Sequence, residues 1–161
     1  MVSVVLWTIA LATRRHPEAL VPQRHSEAFL RWAGNRADAA RSRWLAGATR
    51  LAMGQPPEGL RDLDDAATRL LALGLWIEPA LIRCEQATAL LGAGDLSGAR
   101  QRLREIAVIV PADDDNGWVR DAVNALENDL ETHSAARLLG TIQLLANRLK
   151  APAASPAQGI L

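Results

Sequence analysis

Leu51-Ala52-Met53-Gly54-Gln55-Pro56-Pro57-Glu58-Gly59-Leu60 repeats, in outline, a stretch forty residues earlier, Leu11-Ala12-Thr13-Arg14-Arg15-His16-Pro17-Glu18-Ala19-Leu20. The two share Leu, Ala, Pro, Glu and Leu without a gap, and Gly34 falls under Gly74 at the same shift. A third copy, Leu91-Gly92-Ala93-Gly94-Asp95-Leu96-Ser97-Gly98-Ala99, puts Leu91 under Leu51, Gly94 under Gly54, Leu103 under Leu63 and Ala107 under Ala67. A period of this length is what stacked supersecondary units produce, because one unit cannot shield its own apolar face.

Each copy is punctuated as a helical hairpin. Asp38 to Met53 is rich in Ala, Arg and Leu, Gly54 ends it, and Pro56-Pro57 restart the chain, since proline suits a first helical turn. The return helix runs to about Leu73 and carries Leu60, Leu63, Ala66 or Ala67, and Leu70 at helical spacing. In the third copy Leu81, Cys84, Thr88 and Leu91 mark one face of the first helix. Ala99, Leu103, Ile106 and Val110 mark the second, with Asp95 or Ser97 as its cap and Pro111 as its stop. Beyond Pro111 the period fades into a helix from about Gly117 to Glu131, striped by Trp118, Ala122, Leu126 and Leu130. A last helix, Ala135 to Lys150, is capped by Ser134 and bears Leu138, Leu139, Ile142, Leu145 and Leu149.

The expected fold is therefore all-α, with stacked antiparallel hairpins and about seven to eight helices. One domain spans 1–150, with repeats at about 1–34, 35–74 and 75–111, capping helices over 117–150, and a flexible tail at 151–161. Composition agrees: 49% of the chain is apolar, enough for an ordinary core, and it is mostly Ala and Leu, which favour helix over strand.

The third copy resembles a tetratricopeptide repeat. Ala87, Leu90, Gly94, Asp95, Ala99, Leu103 and Pro111 stand at that family's small, large, turn, small, large and terminal-proline positions. The second copy keeps Gly47, Gly54, Gly59, Leu63 and Ala66, but has Arg43, next to Trp44, where the family usually places an aromatic. The forty-residue period also exceeds the family's usual thirty-four. The longer period, with Leu71-Ala72-Leu73-Gly74-Leu75-Trp76, looks like the degenerate helical repeats in sensor regions of bacterial LuxR-type regulators. The resemblance implies a right-handed solenoid whose concave face, lined by the first helix of each hairpin, brings Arg41, Arg50, Arg83 and Gln86 together as peptide contacts.

Eighteen basic and eighteen acidic side chains cancel, so no net field attracts nucleic acid or a membrane surface. The distribution is uneven. Residues 1–50 hold eight Arg against Glu18, Glu27 and Asp38, leaving ten basic and fifteen acidic groups in the remainder. This reads as arginines scattered over solvated helix faces, the alternative being head-to-tail contact or an acidic partner. Met1 to Ala12 is too short to cross a bilayer and no Lys or Arg precedes it, which argues against an anchor and a standard signal peptide. It is also compatible with a chain that begins inside a larger protein. Its Val4, Val5, Leu6 and Ile9 form an apolar face open to self-association. The lone Cys84 permits no internal disulfide and points to a reducing, cytoplasmic location.

No chemistry-bearing constellation emerges. Asp113-Asp114-Asp115-Asn116-Gly117 fails as a calcium loop because Val123 stands where a bidentate Glu is needed, and acids ahead of a helix start favour its positive dipole end. His16, His25 and His133 are far apart and share no ligand spacing with Cys84, which reads as a small buried hydrophobe. No nucleophile elbow, phosphate loop or dinucleotide fingerprint occurs. The expectation is a non-enzyme with neither metal nor cofactor. Among five Trp, Trp44 and Trp118 sit on predicted stripes, and Trp76, in an inter-repeat turn, is the candidate for an exposed contact. The reading is a regulatory scaffold that binds a peptide or helix of a partner. A small-ligand sensor and an oligomerising structural module are the alternatives.

Overall fold

The computed structural model describes residues 34–112, 116–129 and 135–151 of the 161. Six helices lie among them: α1 (Arg36–Ala52), α2 (Pro56–Leu71), α3 (Ile77–Gly92), α4 (Leu96–Ile109), α5 (Gly117–Asp129) and α6 (Ala135–Lys150). No strand occurs among the described residues. The apolar N-terminal face, the three histidines, Asp113 to Asp115, Leu130 and the tail beyond Ala151 lie outside them.

The turns follow from local chemistry. Gly34, Gly54, Gly74 and Gly94 all hold left-handed φ, between 72° and 80°, where an L side chain is strained and glycine is not. Three of these turns close with the same pair of backbone bonds. Gly54, Gly74 and Gly94 donate to the carbonyls of Leu51, Leu71 and Leu91, and the next residues, Gln55, Leu75 and Asp95, donate to those of Arg50, Leu70 and Leu90. That pattern satisfies carbonyls which a helix end otherwise leaves open.

Helix starts use two devices. Asn35 Oδ1 accepts from the Asp38 amide at 3.1 Å, and Asp95 Oδ1 accepts from the Gly98 amide at 2.8 Å, each satisfying an orphan donor. Gln55 makes no such side-chain bond, but Pro56 and Pro57 at the head of α2 have no amide proton to satisfy. At the far end of α4, Val110 turns extended (φ −67°, ψ 128°) ahead of Pro111, as the proline ring requires of its predecessor.

Two compact units divide the chain, residues 1–82 and 83–161. In the first, α1 and α2 form an antiparallel hairpin around Ala40, Leu63, Ala66, Ala67, Leu70 and Ile82, with Trp44, Leu51 and Leu75 packed against them. Burying a Leu or Ile side chain contributes about 1.5–3 kcal/mol. Two buried glycines face each other where the helices pack tightly. A Cβ on Gly47 would lie 2.9 Å from the Gly59 carbonyl oxygen, and one on Gly59 would lie 3.0 Å from that of Gly47.

In the second unit, α4 buries Ala99, Leu103 and Ile106, and Val110 just past its end is buried too, the set read from the spacing. On α6 the buried set is Leu138, Ile142, Leu145, Ala146 and Leu149, with Leu139 on the flank. Two stripes differ from expectation. On α5 the core side chains are Val119, Val123 and Leu126 rather than Trp118 and Ala122. The helix is thus turned by about one position, and Trp118 sits at the rim with the Arg148 guanidinium 4.0 Å from its ring centroid. Thr88 is exposed instead of packed, its hydroxyl donating to the Cys84 carbonyl at 2.9 Å. Helix α3 is buried over most of its circumference, taking in Ala80, Ile82, Arg83, Cys84, Gln86, Ala87 and Leu91, so a single stripe understates it.

Candidate functional site

The ionisable side chains of the first unit are arranged between helices. Helix α1 is basic, with Arg36, Arg41, Arg43 and Arg50 against Asp38, whereas α2 carries Glu58, Asp62, Asp64 and Asp65 against Arg61 and Arg69. Packing them antiparallel sets unlike charges face to face. The Asp62 carboxylate, its side chain only 2% exposed, pairs with Arg50 and with Arg43, the latter at 3.2 Å. Asp65 receives Arg43 at 3.2 Å and the Arg69 guanidinium at 2.9 Å. A carboxylate this deep is tolerable only because two cations meet it.

A second knot joins α1 to the start of α3. Arg41 donates to Glu78 at 2.6 Å and to Asp38 at 2.8 Å. The bond from Arg41 holds the Asp38 carboxyl below its ordinary range, against the opposing pull of partial burial. The same bonds, that to Glu78 foremost, raise the affinity of Arg41 for its proton.

The second unit has its own ties. Arg83 donates to the Gln86 side-chain oxygen at 2.6 Å and pairs with Glu105 on α4 at 2.6 Å, while Arg102 reaches Glu105 at 3.1 Å. Arg104 meets Glu127 at 2.9 Å, linking α4 to α5. The Arg120 guanidinium donates to the carbonyls of Val110 and Pro111, tying α5 to the segment that follows α4. Cys84 is 2% exposed, and burial pushes its thiol up to about 12. It is therefore a protonated, shielded group at neutral pH.

The five residues singled out from the sequence fall into two kinds. Arg50, Arg83 and Gln86 are interior ties, with Gln86 wholly enclosed and Arg83 9% exposed. Arg83 and Gln86 touch one another through their hydrogen bond. The Arg41 side chain keeps 42% of its surface, and Trp76 is half-buried in the turn before α3. Sequence reasoning missed the depth of Asp62 and the enclosure of Gln86. The signal for the first was the opposite sign of α1 and α2; nothing in the local pattern marks the second.

What remains on the surface is apolar in places. Val108 is 85% exposed, Leu144 70%, Leu96 51% and Ile77 41%. A groove of about 300 Å³ lies between the start of α1 and the end of α2, lined by Arg36, Ala39, Thr68, Arg69, Ala72 and Leu73. Among the described residues no helix is long and apolar enough to cross a membrane, and no three His, Cys, Asp or Glu side chains gather to hold a metal ion. No family model, no curated protein and no solved structure matches the chain.

Proposed function

We propose that the chain is a protein-interaction scaffold, with helical hairpins of the tetratricopeptide-like kind piled into a right-handed array that receives a peptide or helix of a partner. The observation that carries the reading is the use made of charge. Asp62, Asp65, Glu78, Glu105 and Glu127 all tie one helix to another, or one turn to the next, which is how a framework employs its ionisable groups. The even spacing of left-handed glycines at 34, 54, 74 and 94 supports the array. The exposed Val108, Leu144, Leu96 and Ile77 supply apolar area of the kind that partners cover. Of the candidate contacts, Arg41 and Trp76 are the ones with surface to offer, and aromatic and Arg side chains commonly anchor interfaces. A regulatory role in the cytoplasm, like that of LuxR-type sensor regions, is part of this proposal.

The groove beside Arg36 and Arg69 favours a second reading, a sensor for a small ligand, because its volume reaches the lower end of ligand pockets. One experiment separates the two. The full chain, immobilised, captures protein from its own host; a captured partner is then purified and titrated calorimetrically against wild type, Trp76→Ala and Arg41→Glu. A saturable complex weakened at least tenfold by either substitution supports the scaffold. If no protein binds while a metabolite raises the melting temperature by several degrees at about a hundred times its Kd, the sensor reading replaces it.

A further inference from the structure

We draw no further inference here: the strongest candidate, the groove at the open end of the α1–α2 hairpin lined by Arg36, Ala39, Thr68, Arg69, Ala72 and Leu73, carries nothing because Arg69 is already forked onto Asp65 and nothing in the structure shows what covers it.

Discussion

Replacing Gly47 by Ala sets two effects of opposite sign against each other. Glycine inside a helix costs about 0.5–1 kcal/mol relative to Ala, so propensity alone predicts a more stable protein. Packing predicts the reverse. The new methyl would lie 2.8 Å from Leu63 Cγ and 2.9 Å from the Gly59 carbonyl oxygen, distances that real Cβ atoms do not sustain. Leu63 is fully enclosed and cannot swing into solvent, and the Gly59 oxygen is backbone, so α1 and α2 must move apart. Overpacking of this kind costs about 1–3 kcal/mol, which outweighs the propensity gain and leaves a net loss of about 1–2 kcal/mol. With a urea m-value of roughly 2 kcal/mol/M, the unfolding midpoint should fall by roughly 0.5–1 M. Circular dichroism at increasing urea measures this directly. Gly140→Ala is the matched control: it lies inside α6 with nothing within 4 Å of its would-be Cβ, and should raise the midpoint. A Gly47→Ala protein as stable as wild type, with Gly140→Ala behaving as stated, would refute the close approach of α1 and α2.

Asp62→Ala removes the buried carboxylate that meets both Arg50 and Arg43, and should cost about 3 kcal/mol, read as a midpoint loss larger than that of Gly47→Ala. Gly94→Ala forces a side chain into left-handed φ and should destabilise by about 1 kcal/mol, with Gly94→Asn losing less; thermal melts of the pair test the order. Arg41→Gln removes the main bond that depresses Asp38, so the Asp38 carboxyl should titrate closer to 3.8 by NMR; an unmoved titration would disprove that cause. Because the folded pKa is the lower one, this contribution to stability is present above the unfolded value and fades as pH falls through the folded value. Cys84 works in the opposite sense. Its folded pKa is raised, so its contribution is full below 9.0 and is lost as pH climbs toward about 12, and the native thiol should resist alkylation at pH 8 until the chain is unfolded.

Turns and caps were legible because their causes are local. A left-handed glycine, a capping Asp95 and a proline pair at a helix start each act within four residues, and the structure has them at Gly54, Gly94 and Pro56-Pro57. The face of α4 was legible for the same reason, since Ala99, Leu103 and Ile106 recur at helical spacing among Arg and Gln, although Leu96 and Val108 stay exposed. Helix α5 was not. Trp118, Ala122 and Leu126 compete with Val119, Val123 and Leu126, both sets at helical steps of three or four, and only the neighbours a helix meets decide which set turns inward. The aromatic drew the reading to the wrong face, whereas its ring suits a rim position where a guanidinium can stack. The arginines of α1 have partners that local sequence does not mark. Although Arg36 is exposed and the Arg41 side chain keeps 42% of its surface, Arg41, Arg43 and Arg50 meet Glu78, Asp62 and Asp65, carboxylates on α2 and α3 up to 37 residues away along the chain. Charge counted on either side of residue 50 shows the imbalance but not that it is matched across a single hairpin, for which the signs of α1 and α2 must be compared.

That cancellation bears on the field the protein projects and on how its residues can change. The α1–α2 hairpin, with arms of opposite sign, adds little to the overall electrostatic potential, so the field felt by a distant charged molecule arises from the rest of the surface. Mutational drift, by contrast, is constrained in couples: reversing the sign of one arm obliges its opposite arm to follow.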